Sequence, residues 1–424
     1  MRQVHLSAID IGSSKISCLI TVPSEESGNI NVVGVATAPS RGIRRGQVVD
    51  IEDAVSAVTN CVEAAERMAG FSINSGFVSV SGDQIQSQNS KGVVAISQPE
   101  GEINQEDIFR VVEAAKAVSL PSSREIIHVL PREYIVDSQK GIKDPIGMSG
   151  VRLETEAHLI TGSSTAIRNI SKCVNDIGIE VNGLVYTGLA SSHSVLTETE
   201  KELGVVLIDI GGGTTSICVF VEGACCYSSV VPIGAKKITD DLAIGLMVSL
   251  ESAEKIKQYL SQPQRPDSIS KSDKENDEIN LARLGIKEDL KHASRKTIVE
   301  GIIRPRLNEI FTLVGNAIRK SGFAGSTPAG IVLCGGGSQT IEAVSACKRT
   351  LQLPTRIGTP VGLHGLIEEV SSPGYSTVVG LILYGLTKSS QANHQSSYLN
   401  NIVKKIPVKG AVQKVTNFIK SFLP

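Results

Sequence analysis

The chain of 424 residues contains no tryptophan, and only 4% of its residues are aromatic, so its core must consist mainly of aliphatic side chains. Net charge is almost absent as well, because 42 Lys and Arg residues face 43 Asp and Glu residues. A chain without an overall positive field is not expected to bind nucleic acid. No run approaches the roughly 18 apolar residues of a membrane-spanning helix. These absences exclude the transmembrane and bulk DNA-binding classes.

Paired cysteine motifs are also missing. The eight cysteines show no CxxC and no ligand-like spacing, which predicts buried thiols rather than a disulfide framework or a zinc site. Asp10 stands where a signal peptide would be apolar, so secretion is not expected. The chain does contain 40 glycines, and its length predicts two or three domains of about 150 residues each.

Two similar segments form an internal repeat. Ser-Ala-Ile-Asp-Ile-Gly-Ser-Ser-Lys-Ile starts at Ser7, and Val-Leu-Ile-Asp-Ile-Gly-Gly-Gly-Thr-Thr starts at Val206. In each, a β-branched strand runs into Asp-Ile-Gly, a turn of small residues and a second apolar strand, which predicts a β-hairpin. The repeat therefore predicts two halves of similar architecture that face each other.

Three turns of small residues predict a phosphate-binding site, because small side chains let backbone N–H groups approach a phosphate. The alternative is that each turn is only a tight hairpin. Asp10 and Asp209 each end a strand before such a turn, and two facing carboxylates suit a hydrated Mg²⁺. No GxxxxGK[ST] or GxGxxG motif occurs. The candidate nucleotide-binding residues of the turns are Gly12, Ser13, Ser14, Lys15, Gly211, Gly212, Gly213, Thr214, Thr215, Gly335, Gly336, Gly337 and Ser338.

Periodicity and capping residues predict the remaining elements. Helices are expected over residues 51–70, 105–119, 164–177, 238–245, 252–260 and 291–320, and strands over 77–81 and 125–137. The polar composition of segment 262–280 predicts a mobile loop or linker. The folded part is expected to end near Leu386.

The turns resemble those of the actin, sugar-kinase and heat-shock-70 ATPase superfamily. There the two hairpins are phosphate loops and the later glycine turn is the adenosine loop. Glu254, Lys257 and Ser261 have the spacing E-x-x-K-x-x-x-S of a helix that contacts adenine and ribose in the heat-shock-70 relatives. At i, i+3 and i+7 they share one helix face. The alternative is a solvated charged face.

Within this superfamily the chain resembles the FtsA family of bacterial actin-like cell-division proteins over nearly its whole length. The most specific motifs are His-Val-Leu-Pro-Arg-Glu-Tyr from His128 and Gly-Ile-Lys-Asp-Pro-Ile-Gly-Met-Ser-Gly-Val-Arg from Gly141. Shorter matches are Ser-Arg-Gly-Ile at Ser40, His-Leu-Ile at His158, Gly-Leu-Ala-Ser-Ser at Gly188, Leu-Gly-Val at Leu203, Arg-Ile-Gly at Arg356 and Tyr-Ser-Thr at Tyr375.

The resemblance implies an α/β protein with the actin-like two-lobed ATPase fold, repeated ribonuclease-H-like halves, an inserted small α+β subdomain and a C-terminal amphipathic helix. The expected divisions are 1–83 with 164–200 for the first lobe; 84–163 for the inserted subdomain, with filament contacts; 201–233 with 317–388 for the second lobe; 234–316 for a second-lobe subdomain that contacts adenine and docks a partner; 389–408 for a flexible linker; and 409–424 for a membrane-targeting helix.

The segment before the second phosphate loop departs from the enzymatic relatives. Actins and heat-shock-70 proteins place a Gln or Glu there to orient the attacking water, whereas residues 188–195 contain Ser191 and Ser192 and no carboxylate or amide. Serine is a poor general base, and His193 is more typical of a structural residue. We expect ATP binding with Mg²⁺, and slow or negligible hydrolysis.

The C-terminal tail has a distinctive composition. From residue 391 onward it contains no Asp or Glu but five lysines, and residues 411–423 separate into an apolar and a cationic face at helical periodicity. This pattern is typical of a helix that lies in an anionic membrane interface, although it would also allow the tail to pack on the protein's own core. The candidate membrane residues are Val412, Val415, Phe418, Ile419, Lys420, Phe422 and Leu423.

The family resemblance implies a peripheral protein on the cytoplasmic face of the inner membrane at the division site. Its implied partners are the C-terminal peptide of the tubulin-like ring protein FtsZ, further copies in a head-to-tail filament, anionic lipids and other division proteins, with no nucleic acid. Arg304 and Arg306 are candidates for an acidic peptide, or are simply surface residues. The alternatives are the actin-like platform protein of type IV pilus assembly and a small-metabolite kinase of the same fold.

Overall fold

The protein is described here from a computed structural model, in which residues 5–23, 30–97, 101–262, 277–288 and 292–388 are described. It forms two compact units, Met1–Ile382 and Leu383–Pro424. Residues 376–382 at the end of the first unit are helical, and so are residues 383–388 at the start of the second. The architecture below is that of the first unit.

The strands of the first unit are β1 (Leu6–Ile11), β2 (Lys15–Pro23), β3 (Ile30–Pro39), β4 (Ile43–Arg44), β5 (Gln47–Val48), β6 (Ser75–Val80), β7 (Gln86–Ala95), β8 (Arg124–Val136), β9 (Gln139–Ile142), β10 (Arg152–Ser163), β11 (Glu180–Tyr186), β12 (Val205–Ile210), β13 (Thr215–Val221), β14 (Ala224–Val231), β15 (Glu278–Asn280), β16 (His292–Ser294), β17 (Ile331–Cys334), β18 (Thr355–Ile357) and β19 (His364–Gly365).

The α-helices are α1 (Ile51–Ala69), α2 (Gln105–Lys116), α3 (Ser164–Asn175), α4 (Thr187–Val195), α5 (Glu198–Leu203), α6 (Lys236–Leu246), α7 (Leu250–Ser261), α8 (Arg304–Ser321), α9 (Ala343–Leu351) and α10 (Ile367–Val370). A π-helix, Thr297–Ile303, leads directly into α8.

The two halves of the first unit share one sheet topology. The first sheet has the order β11-β6-β1-β2-β3-β19, and the second has the order β14-β13-β12-β17-β18. In each sheet the repeated hairpin and the next strand are antiparallel, and two later strands add in parallel on the other side. The central strands are buried on both faces, since helices cover both sides of such sheets. The predicted repeat and both predicted hairpins are confirmed.

An α+β subdomain is inserted between β6 and α3. Its four-stranded sheet has the order β7-β10-β8-β9, and α2 packs against it. Asn104 caps α2 through a reciprocal capping box with Asp107, which explains why the helix begins at Gln105. Aliphatic residues such as Val111 and Leu153 form a separate small core between the helix and the sheet.

Tyr186 joins the inserted subdomain to both lobes. It ends β11 of the first lobe, and its hydroxyl donates to the carbonyls of Ser229 (2.7 Å) and Ile217 (3.1 Å) in the second lobe. Its backbone N–H donates to Nε2 of His128 in the inserted subdomain at 2.9 Å. Because Tyr186 is fully buried, these bonds have no competing water.

Most predicted elements are found within a few residues of their expected ends. The helix predicted over 51–70, for example, is α1, which Asp50 caps at the start and Gly70 ends in the left-handed conformation. All eight cysteines are free and buried, as predicted.

Two predictions in the second lobe are wrong in part. Residues 278–280, expected to belong to a mobile loop, form β15, and residues 292–294, expected to begin a long helix, form its antiparallel partner β16. Three-residue strands leave no readable alternation, so only the pairing reveals them. The rest of the predicted loop, 263–276, lies outside the described residues.

The predicted linker and amphipathic helix, residues 389–424, also lie outside the described part of the chain. Among the described residues, no helix is both long enough and apolar enough to cross a membrane.

Candidate functional site

The two repeated hairpins have the same turn geometry. Each leaves four residues between its last paired positions, Ile11 with Ile16 and Ile210 with Thr215. In the first turn the N–H of Gly12 donates to a carbonyl three residues on at 3.1 Å, and in the second the N–H of Gly211 does the same at 2.9 Å. The identical closure makes the two turns structural equivalents, with Asp10 and Asp209 at matching positions.

The two turns touch each other across the lobes, and glycine makes this approach possible. A Cβ on Gly212 would lie 2.7 Å from the Cβ of Ser14, and one on Gly213 would lie 2.7 Å from Oγ of Ser13. Oγ of Ser13 also accepts a hydrogen bond from the N–H of Gly46 at 2.8 Å. The turn of the first lobe is therefore held by a hydrogen bond within that lobe, and the turn of the second lobe contacts it through glycines without side chains.

A cleft of about 830 Å³ opens where these turns meet. Its lining contains almost all the candidate nucleotide-binding residues, including Glu254, Lys257 and the glycines of all three turns. Two candidates do not line it. Thr215 donates to the carbonyl of Ile233 at 2.8 Å, and Ser338 donates to the carbonyl of Gly335 at 2.8 Å, so both hydroxyls are used within the fold.

The paired carboxylates Asp10 and Asp209 both line the cleft. Oδ1 of Asp10 accepts a hydrogen bond from Ser79 at 2.7 Å. Oδ2 of Asp209 accepts bonds from Ser191 at 2.6 Å and Thr377 at 3.2 Å. Burial raises the pKa of Asp10, and burial together with the negative charge of Asp10 raises the pKa of Asp209 to about 6. The charge of Asp10 thus disfavours ionisation of Asp209, which is a situation that a divalent cation relieves.

The carboxylates that line the described part of the cleft are Asp10, Asp209 and Glu254. Within the described residues, no group of three or more His, Cys, Asp or Glu side chains is arranged to hold a metal ion. Two carboxylates fit Mg²⁺, which keeps several waters and takes few protein ligands.

Lys15 extends across the floor of the cleft. Its ammonium lies 3.9 Å from the centre of the Tyr375 ring, a cation–π contact. Burial lowers the pKa of Lys15, while the negative charges of Asp10 and Asp209 act in the opposite direction. The lysine is therefore a cation held between an aromatic face and two carboxylates.

The helix predicted to contact adenine and ribose is α7, and its polar face is ordered. Oε2 of Glu254 accepts bonds from Lys257 at 2.7 Å and from Thr239 at 2.6 Å. Ser261 donates to the carbonyl of Lys257 at 2.7 Å and accepts from the N–H of Ile341 at 3.1 Å. All three predicted residues line the cleft, so this face is turned toward the site rather than toward bulk solvent.

The segment before the second turn, α4, carries no cleft-lining carboxylate or amide among the described residues. Ser191 is committed to Asp209, and Ser192 donates to the carbonyl of Leu189 at 2.7 Å. Burial and the positive charge of Lys201 lower the pKa of His193 to about 4, so its imidazole is neutral at pH 7.

Thr377, Lys236 and Gln258 are among the residues lining the cleft that sequence reasoning missed. Thr377 belongs to a motif noted only for its family resemblance. Gln258 donates to Glu254 at 3.1 Å and follows Lys257, so it could have been found from the helix face. Lys236 belongs to no motif in the sequence, and only the packing of the two turns shows that it lies at the cleft.

Arg304 and Arg306, the candidates for an acidic partner, already pair with carboxylates of their own chain. Arg306 forms a bidentate pair with Asp241 at 2.5 and 2.8 Å and also contacts Glu309. Arg304 lies 3.3 Å from both Glu300 and Glu342. An acidic peptide would have to displace these pairs. The candidate membrane residues, 412–423, lie outside the described residues.

Structural comparison defines the class. The chain is similar to a chain of the PilM–PilN type IV pilus biogenesis complex, with a TM-score of 0.63 and 15% identity over 90% of this chain and 99% of that one. It is also similar to MreB5 of Spiroplasma citri bound to AMPPNP, with a TM-score of 0.53 and 14% identity over 92% and 98%. Together with the repeated sheets and the cleft between them, these likenesses show an actin-like two-lobed α/β fold.

Sequence comparison then gives the family. A model described as "SHS2 domain inserted in FTSA" matches residues 82–161, and one described as "Cell division protein FtsA" matches residues 206–380. The cell division protein FtsA of Pseudomonas aeruginosa is 41% identical over 92% of this chain and 91% of its own length, and that of Escherichia coli K12 is 36% identical over 94% of each. The chain belongs to the FtsA family of cell-division proteins.

Proposed function

We propose that this protein is an ATP-binding division protein that assembles on the inner face of the cell membrane and attaches the FtsZ ring to it. One observation above all supports ATP binding. Two equivalent turns of small residues, one from each lobe, meet at one cleft. Backbone N–H groups and hydroxyls supply neutral donors there, and Lys15 supplies charge. The cleft volume of about 830 Å³ suits a nucleotide.

Mg²⁺ is the proposed counter-ion. Asp10 and Asp209 would hold it, at least partly through water, and when bound it would offset negative charge on the phosphates. In support, both carboxylates line the cleft and burial raises the pKa of each. On α7, Glu254 and Lys257 would contact the nucleoside from the second lobe.

Hydrolysis is proposed to be slow or negligible. A water near the terminal phosphate needs a general base, but no carboxylate, amide or imidazole of α4 lines the described part of the cleft, and the hydroxyls of Ser191 and Ser192 are already donated to other groups. ATP would then serve as an assembly cofactor, in contrast to the alternative of a metabolite kinase. The similarity to the pilus protein, at 15% identity, concerns the fold alone.

The membrane half of the proposal rests on the tail sequence. A cationic amphipathic segment with Phe418 and Phe422 on its apolar face suits an anionic interface, where each lysine adds about 1 kcal/mol. One short segment binds weakly, so copies joined in a filament would bind much more strongly. The peptide of FtsZ is proposed to dock on the subdomain around α6 and α8.

Co-sedimentation with anionic liposomes tests this function. Full-length protein and a truncation ending at Leu386 are compared, each with and without ATP and Mg²⁺. We expect only the full-length protein to pellet, and more of it with ATP and Mg²⁺. If neither form pellets while both still bind nucleotide, the proposal that the tail attaches the protein to the membrane is wrong.

A matched variant distinguishes the contribution of lysine charge to liposome binding from the contribution of the apolar face. Phe418→Ser with Phe422→Ser leaves every lysine of the tail in place, so it should lose most binding if the apolar face inserts. Unchanged binding would mean that lysine charge alone holds the protein on the liposomes.

A further inference from the structure

The start of α6 is built into the second phosphate turn. The N–H groups of Ala235 and Lys236 donate to the carbonyls of Gly211 and Gly212, both at 2.9 Å. Gly234 allows this, because a Cβ there would lie 2.5 Å from the carbonyl oxygen of Gly211. The backbone at Lys236 is therefore fixed relative to the turn and does not depend on a flexible loop.

From that fixed backbone, the Lys236 side chain crosses to the other lobe. Its Nζ donates to the carbonyl oxygen of Ser13, in the first turn, at 2.7 Å. Lys236 lines the cleft, as Lys15 does. The hydrogen bond joins the two turns directly.

This lysine has no anionic partner within the described residues. Its neighbours on the same subdomain do: Lys237 pairs with Asp240 at 2.8 Å, and Lys257 with Glu254 at 2.7 Å. An ammonium group has three N–H donors, and a hydrogen bond to a charged oxygen is roughly twice as strong as one to a neutral carbonyl. A phosphate oxygen arriving between the turns is thus a better acceptor than the one Lys236 now uses.

We propose that Lys236 binds the terminal phosphate of the nucleotide and makes the site discriminate a triphosphate from a diphosphate. The inference rests on the proposed nucleotide function of this cleft. With a triphosphate, Lys236 bridges the second lobe to a phosphate that the first turn also holds, so the lobes are tied together. With a diphosphate, the ammonium keeps only the neutral Ser13 carbonyl.

The test is calorimetric titration of the full-length protein with ATP, ADP and adenosine in Mg²⁺ buffer. Lys236→Gln should lose roughly tenfold in ATP affinity, the size expected for one hydrogen bond to a charged group, with ADP and adenosine nearly unchanged. Lys236→Arg, which keeps the charge, should retain most of the ATP preference. Lys237→Gln, which removes a neighbouring surface lysine, is the matched control and should match the wild type.

The possible results distinguish a failure of this inference from a failure of the proposed nucleotide binding. If the wild type binds neither ATP nor ADP, the proposed nucleotide function fails and this inference with it. If the wild type prefers ATP and Lys236→Gln keeps the full preference, only the role of Lys236 is wrong. An equal loss of ATP, ADP and adenosine would also overturn it, since that indicates general damage to the cleft.

Discussion

Ser191 on α4 donates a hydrogen bond of 2.6 Å to the carboxylate of Asp209 on β12 of the second sheet. Both groups are buried, so the bond forms away from competing water. Thr377, also outside the second sheet, donates to the same oxygen at 3.2 Å. Asp209, which the sequence predicts to be a metal ligand, is thus also held by two residues that lie outside its own sheet.

The first prediction concerns Mg²⁺ and pH. Because burial raises the pKa of Asp209 to about 6, the carboxyl is largely protonated at pH 5 and ionised at pH 7.5. A cation competes with that proton, so the increase in Tm on adding Mg²⁺ with ATP should be larger at pH 7.5 than at pH 5. Asp209→Asn should reduce this pH dependence, while Asp240→Asn, in a partly exposed pair with Lys237 on α6, should preserve it.

The second prediction concerns the contact between the turns. Gly212→Ala should weaken ATP binding by at least tenfold, because the new Cβ would lie 2.7 Å from that of Ser14 and force the turns apart. Titration with ATP measures the effect. Gly301→Ala is the control, since a Cβ there meets no atom within 4 Å and the residue lies outside the cleft. Equal affinities for the two variants would show that close approach of the turns is not required.

The third prediction concerns Tyr186. Removing its hydroxyl in Tyr186→Phe leaves the carbonyls of Ser229 and Ile217 with one partner fewer, and should lower the free energy of unfolding by about 1–3 kcal/mol. Urea unfolding measures it. Tyr259→Phe, on the partly exposed face of α7, serves as the control and should change stability by less than about 0.5 kcal/mol. A loss no larger than the control's would mean that the buried junction contributes little.

The fourth prediction concerns acid stability. Burial and the positive charge of Arg132 lower the pKa of His158 to about 4, and its ring bonds Asn89 and Ser228 at the contact between the inserted subdomain and the second lobe. The unfolded chain takes up a proton near pH 6.5, whereas the folded protein does not do so until about pH 4. Stability is therefore complete above pH 6.5 and falls as the pH drops toward 4, by about 3 kcal/mol from this residue.

Unfolding curves at several pH values test whether stability falls with decreasing pH as predicted. His158→Gln should show a shallower loss of stability between pH 6.5 and 4 than the wild type. His364→Gln, at an exposed position on β19, should follow the wild-type curve. Parallel curves for the wild type and His158→Gln would contradict the assignment.

Local features of the fold are determined by the sequence alone. The cap at Asp50 and the stop at Gly70 fix α1, and the repeated Asp-Ile-Gly fixes two hairpins, because each depends on residues adjacent in the chain. The glycine turns and the spacing of Glu254 and Lys257 likewise predicted part of the cleft lining. The same residue-level reasoning misread 278–280 and 292–294, whose pairing is not local.

Only the tertiary structure decided which groups meet. That Asp209 is held by Ser191 and Thr377, and that Lys236 reaches the carbonyl of Ser13, depends on how elements far apart in the chain pack together. Sequence spacing fixes which face of a helix or strand a side chain occupies, but it does not fix the distance between elements far apart in the chain. The candidate residues were therefore readable from the sequence, while the bonds that couple the lobes were not.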